Sequence, residues 1–217
     1  CVKAMPHIPV FELVFFRSLG SLLITLFYLN KGKTPIFGNN KKVLFARGAF
    51  GTIGLSLFFI TLQNIPLAGA VTIQYLSPVF TTLFAVVLLG ERVKKLQWFF
   101  FILAFTGVCL LKGFDVSGQI SYYFILIGVV SASFSGLAYN CIRYLRTTEP
   151  TLVVVFYFPL VATPIMGILS FFNWVKPQGL DWLYILVLGV VTQVAQVFMT
   201  KGIQSDSAGN IMTYKYV

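Results

Sequence analysis

The chain has 217 residues, of which 58% are hydrophobic and 10% charged, and its 16 Lys and Arg against 6 Asp and Glu give a formal net charge of +10. An ordinary soluble domain carries roughly 25% charged residues, so a water-soluble globular core is excluded. A basic nucleic-acid binder is excluded too, because the cations fall between apolar segments and not on one polar face.

Apolar runs of about 20 residues match a hydrocarbon layer of roughly 30 Å. Read against the charged breaks, the sequence predicts seven complete membrane spans. The stretch Cys1 to Met5 reads as the tail of an earlier helix and Ser207 onward as the start of a later one. With no cleavable signal peptide visible, the chain is expected to be an internal fragment.

The first span, Phe11 to Leu29, carries Arg17. If Pro9 starts the helix, Arg17 lies about 12 Å in, at 1.5 Å per residue. A charge near the midplane is costly and is normally kept for a pathway or site, with snorkelling or a structural ion pair as the alternatives. Glu12, five residues earlier, falls on a different face and reads as an interfacial carboxylate. The second span, Val43 to Leu62, sets Thr52 and Ser56 on one face and offers Gly48, Gly51 and Gly54 for close helix packing. The third, Leu67 to Leu89, has a proline in its middle: Pro78 shares a face with Gln74 and Thr81, and Ser77 is beside it. Proline removes a backbone donor and frees a carbonyl, so a kink or break is expected there.

The fourth span, Leu96 to Leu111, has Trp98 near its start, and the fifth, Tyr122 to Cys141, lines up Ser131, Ser135 and Tyr139. The sixth, Leu152 to Phe172, is interrupted by Pro159 and Pro164. The seventh, Leu180 to Met199, presents Thr192, Gln196 and Thr200, with Gln193 beside them. In the partial last helix Lys215 is as deep as Arg17 if Ser207 begins it. These polar faces should point inward, since a lipid-facing glutamine would leave its amide unpaired at several kcal/mol. Packing alone accounts for the serines and glycines, less readily for the larger glutamines.

Short breaks between spans predict one bundle of antiparallel neighbours and a single membrane domain. Alternate breaks carry Lys31, Lys33, Lys41 and Lys42, then Arg92, Lys94 and Lys95, then Arg143 and Arg146, then Lys201, with Arg47 just inside the second span. The other breaks carry only Lys3, Lys112 and Lys176, which assigns the first set to the cytoplasm. Trp98, Tyr122, Trp174 and Trp182 fall near span ends, as an aromatic belt requires. Cys1, Cys109 and Cys141 lie in or beside apolar segments and read as buried thiols. Neither paired carboxylates, metal-spaced His or Cys, nor a phosphate-cradling loop stands out, so no enzyme, cofactor or metal site is predicted.

The chain also echoes itself at a spacing of 140 to 141 residues: CVKAM at Cys1 answers CIRYL at Cys141, Pro9 answers Pro150, LQ at Leu62 answers IQ at Ile203, and LAGAV at Leu67 answers SAGNI at Ser207. A repeat of five spans, an odd number, inserts its second copy upside down. The segments RGAFGTIGLSLFFITLQNIP and LAGAVTIQYLSPVFTTLFAVVLLGER, with Ala68-Gly69-Ala70, the Ser77-Pro78 break, the Gly90-Glu91-Arg92 end and Arg17, resemble the EamA-like branch of the drug/metabolite transporter superfamily.

That resemblance implies an all-α integral membrane protein, a helical bundle with inverted five-helix repeats. It is a ten-helix fold, truncated here to about eight helices, with repeats over residues 1–112 and 113–217. It also implies a multi-pass protein of a bacterial inner membrane. The expected function is a secondary transporter of small, amino-acid-like or carboxylate-bearing metabolites, working by alternating access, often in export, with a proton or counter-substrate as coupling partner. Arg17 and Lys215 would attract a carboxylate, and Gln74, Tyr75, Tyr139, Asn140, Gln193 and Gln196 would supply hydrogen bonds. Alternatives are a nucleotide-sugar or organic-phosphate exchanger, which needs more cationic residues, and a receptor or retinal protein with Lys215 as its Schiff-base lysine.

Overall fold

A computed structural model describes residues 2–32, 36–90, 95–113 and 121–205. Glu91, Arg92, the segment from Ser207 and Lys215 lie outside the described residues. Eight α-helices occur among the described residues: α1 (Val10–Lys31), α2 (Lys41–Asn64), α3 (Leu67–Gln74), α4 (Ser77–Leu89), α5 (Lys95–Gly113), α6 (Tyr122–Tyr144), α7 (Thr151–Phe171) and α8 (Asp181–Ser205). Six stretches are long and apolar enough to cross a membrane, α3 and α4 counting together, and α5 contributes a shorter apolar stretch, Gln97–Val108. Every predicted span is helical, because apolar sequence of this length can satisfy its backbone in lipid only by closing its own hydrogen bonds.

α1 and α7 begin alike. Pro9 caps α1 with φ −57° and ψ 145°, and Pro150 caps α7 with φ −62° and ψ 145°. Proline suits a helix start because the first N–H groups have no intrahelical partner.

The third span breaks where the sequence places a proline, but slightly earlier than the proline itself. The chain leaves α3 at Tyr75 and enters α4 at Ser77, with Pro78 inside the first turn of α4. Tyr75 N–H is shared between the carbonyls of Val71 and Thr72, and Leu76 N–H bonds Ile73 O at 3.0 Å. The tightened turn follows from Pro78, whose ring crowds the carbonyl one turn back and forces the strain upstream. α4 ends at Gly90, whose φ of 68° is left-handed and whose N–H returns to Ala85 O. Pro159 and Pro164 both lie inside α7, which runs through them without a break. Its first half is buried on every side, from Val153 to Phe158, and surrounding protein lets a spanning helix tolerate proline.

The chain divides into two compact units, one comprising Cys1–Thr52 with Cys141–Val217 and the other Ile53–Asn140. In the first, α1 packs along α7 and α8, and Phe16 meets Trp174 and Trp182 edge-on or tilted, each at 5.5 Å. Polar contacts tie both ends of this unit. At one end His7 Nε2 lies 3.0 Å from Asp181 Oδ2, which also accepts the Gln178 N–H. Glu12 Oε2 accepts the Val175 N–H there at 3.0 Å. At the other end Glu149 Oε1 accepts the Asn40 N–H at 2.7 Å, and Thr151 meets Gln204. The second end is where Lys31, Lys41, Lys42, Arg143, Arg146 and Lys201 fall in the chain, the cations on which the expectation of a cytoplasmic side rests.

Glu12 lies in the first turn of α1, at the end of the span where the sequence puts it, but is covered by protein. It is 0% exposed, its Oε1 has no hydrogen-bond partner, and it holds the α7–α8 loop. A carboxylate in the first turn of a helix also meets the positive end of the helix dipole, which favours it at that spot.

In the second unit α3 meets α5, and Phe80 packs edge-on to Phe105 at 6.0 Å. Trp98, Phe99, Phe100, Ile102 and Leu103 on α5 are exposed, an apolar surface that suits lipid.

Candidate functional site

A row of polar side chains joins α1 to α8 in the first unit. Arg17, buried though mid-helix, donates from Nε to Thr192 Oγ1 at 2.9 Å. One turn further along α1, Ser21 donates to Gln193 Oε1. After another turn Gln193 Nε2 donates to Thr25 Oγ1 at 2.7 Å, while the Thr25 hydroxyl reaches back to Ser21 O. The spacing of four residues from Arg17 to Ser21 to Thr25 puts all three on one face of α1. Gln193, expected from sequence, is therefore the hub of the row, and Gln196, one turn beyond Thr192, is half-buried on the same helix.

Arg17 has an aromatic neighbour that the sequence does not reveal. Its guanidinium carbon is 5.5 Å from the centroid of Phe158 on α7. Arg47 approaches the same ring at 5.4 Å and is only 1% exposed. The sequence counts Arg47 among the topology-setting cations; the structure instead buries it. Gly51, one turn after Arg47, explains how it fits: a Cβ there would overlap both Arg47 Nη1 and the Phe158 ring.

The second unit holds the other expected residues in two groups. Gln74 donates to Ser135 Oγ at 3.1 Å and accepts from Ser131 Oγ at 3.3 Å, and Ser131 also donates to Gly54 O at 2.7 Å. Asn140 Nδ2 donates to the main-chain carbonyls of Thr81 and Gly136, both at 2.9 Å, and its Oδ1 is buried without a partner. Tyr139 is half-buried beside it. Tyr75 stands at the helix break and is 43% exposed. The expectation for Lys215 concerns a residue outside the described ones.

Each unit thus buries polar side chains on long apolar helices. The sequence profile of the EamA-like transporter family matches residues 1–112 and 122–217. The chain belongs to the EamA-like transporter family. As a member it is a multi-pass integral membrane transporter.

Among EamA-like and related transporters, the chain is 33% identical over 218 residues to the pseudopaline exporter CntI of Pseudomonas aeruginosa, spanning 99% of this chain and 76% of that protein. It is 28% identical over 232 residues to solute carrier family 35 member G1 of Mus musculus, spanning 99% of this chain and 62% of that one. It is 23% identical over 212 residues to an S-adenosylmethionine uptake transporter of Rickettsia felis, spanning 95% and 70% respectively. A solved crystal structure superposes with a TM-score of 0.72 at 20% identity, covering 94% of this chain and 73% of that one, and so shares the fold. One relative exports and another takes up, so membership carries transport but neither direction nor substrate. It also displaces the receptor and retinal-protein alternatives.

Proposed function

We propose that this EamA-like protein is a secondary transporter that moves small carboxylate-bearing, amino-acid-like metabolites by alternating access. Export from a bacterial cell across its inner membrane is the proposed direction, with a proton or counter-substrate as coupling partner and no catalytic step. The observation that carries the reading is Arg17, a buried cation in the body of a spanning helix, aimed by Thr192 and followed by a row of hydroxyls and one amide. Holding an arginine there costs several kcal/mol, and a guanidinium is built to take a carboxylate with two parallel hydrogen bonds. Gln193 and Gln196 belong to the same proposed site in this unit; Gln74, Tyr75, Tyr139 and Asn140 are proposed separately as hydrogen-bonding residues for substrate, and Lys215 as a further cation.

Inverted repeats over residues 1–112 and 113–217 are part of the proposal. The matching proline caps of α1 and α7 support them, since Pro9 and Pro150 are partners in the sequence echo. An organic-phosphate exchanger is a second reading, favoured by Arg47, a cation that the sequence assigns to topology and that is buried.

Efflux from proteoliposomes containing the full-length protein tests the reading, with labelled alanine, aspartate and glutarate as probes. Arg17→Ala should lower initial rates at least tenfold, equivalent to about 1.4 kcal/mol of lost binding. Unchanged rates in Arg17→Ala and in Lys215→Ala would overturn the cationic site.

A further inference from the structure

Each end of the first unit is closed by a carboxylate that takes one main-chain N–H. Glu12, in the first turn of α1, accepts the N–H of Val175, which lies between α7 and α8, at 3.0 Å. Glu149, just ahead of α7, accepts the N–H of Asn40, which lies between α1 and α2, at 2.7 Å. The exchange is reciprocal. The start of α1 holds the segment that follows α7, and the start of α7 holds the segment that follows α1. These are the two helices that open on matching prolines, Pro9 and Pro150. The carboxylates themselves do not match in the sequence echo, where Ile8 answers Glu149 and Val153 answers Glu12. Two unrelated positions thus do the same job at opposite ends.

Both carboxylates are withdrawn from water, at 0% and 6% exposure. Neither forms an ion pair among the described residues, where His7 pairs with Asp181. A hydrogen bond to a charged group shifts an opening equilibrium by roughly ten- to a hundredfold. That is enough to decide whether an end is open or shut, and little enough to be broken and remade. Each clasp has local support. Asp181 accepts the Gln178 N–H at 3.0 Å in the segment that carries Val175, and Gln204 Nε2 donates to Glu149 O at 3.3 Å. Gly38 seats the second clasp closely, since a Cβ there would overlap Glu149 Oε2 and Leu44.

We infer that Glu12 and Glu149 are the gating residues of this unit, each clasp opening only while the other is shut. In the structure both are shut. Losing one carboxylate then keeps its own end open for longer. Because the two open states exclude each other, the far end stays closed for longer as well. The inference rests on the proposed alternating access and adds the groups that close each end.

Hydrogen exchange at the Val175 and Asn40 amides of the full-length protein in lipid nanodiscs tests this. Glu12→Ala should speed exchange at Val175 by about tenfold or more and slow it at Asn40 by about threefold or more. Glu149→Ala should do the reverse. A merely structural clasp would loosen its own end and leave the far amide alone. Glu12→Gln, which keeps an acceptor, should leave both amides within about threefold of the unmodified protein. A far amide that is unchanged or faster in the alanine variants would overturn the inference. If either alanine variant does not fold, Gly38→Ala, which crowds Glu149 without removing it, should give the Glu149→Ala pattern, and unchanged exchange at Val175 in that variant would overturn the inference equally. Efflux of labelled alanine, aspartate and glutarate is measured on the same protein. Efflux with an unresponsive far amide removes the gating alone. An opposed far-end response without efflux of any of the three upholds the gates and removes the carboxylate reading.

Discussion

Gln193 on α8 reaches across to Thr25 on α1, Nε2 to Oγ1, at 2.7 Å, while its carbonyl oxygen takes the hydroxyl of Ser21 one turn away. One amide thus stitches two helices at two successive turns. Interhelical hydrogen bonds within membranes average about 0.6 kcal/mol each. Gln193→Leu should therefore lower thermal stability in detergent by about 1 to 2 kcal/mol. Gln193→Ala combined with Ser21→Ala should cost less than the two single changes summed, because both act on the same bond.

Gly51 and Gly20 give opposite expectations for the same substitution. A Cβ at Gly51 would overlap Arg47 and Phe158, whereas a Cβ at Gly20 meets nothing within 4 Å. Overpacking typically costs about 1 to 3 kcal/mol, and glycine to alanine in an open helical position gains up to about 1 kcal/mol. Thermal unfolding of the two alanine variants should shift in opposite directions. A stabilised Gly51→Ala would show that the Arg47 guanidinium moves away from the ring without cost.

Glu12 makes a bond that an amide can imitate. Its Oε2 accepts the Val175 N–H, and its Oε1 is buried without a partner. Glu12→Gln keeps an acceptor for Val175 and removes a buried charge, so stability should hold or rise. Glu12→Ala should free the loop, seen as at least tenfold faster hydrogen exchange at the Val175 amide.

Asn140 combines a gain and a loss in one side chain. Its Nδ2 serves two main-chain carbonyls, while its Oδ1 is buried unsatisfied. A buried unpaired acceptor costs about 1 to 3 kcal/mol, comparable to what two modest hydrogen bonds contribute. Asn140→Ala should change unfolding free energy by no more than about 1 kcal/mol, a cavity term included. A loss above about 3 kcal/mol would mean that Oδ1 carries a bond after all.

The spans were legible because hydropathy and helix length respond to one physical constraint, the thickness of the bilayer. Arg17, Gln74 and Gln193 were legible for a related reason, each being a large polar group inside an apolar run. Arg47 was not, since six residues into a helix behind Lys41 and Lys42 it looks like another cation holding the chain in the cytoplasm. Gly51, four residues further on the same face, was the available sign that something must approach closely there. Phe158 carried no sign at all in a chain with 23 phenylalanines. The loop contact of Glu12 was not legible, because distance along a helix does not tell whether a loop folds over its end. For α7, sequence shows the two missing donors but not the packing that lets the helix continue through them.

The break at Tyr75 and Leu76 has a consequence for how the protein is made. α3 has eight residues, about 12 Å of helix, which is less than half the bilayer core. The third span can cross only as two rods with an irregular joint between them. The amide of Gln74 beside that joint finds its partners on Ser131 and Ser135, residues synthesised some 60 positions later. Until α6 has been synthesised, the hydroxyls that meet the Gln74 amide are not yet part of the chain. The native seating of the joint therefore waits for the arrival of α6, which makes the third span a late participant in assembly despite its early place in translation.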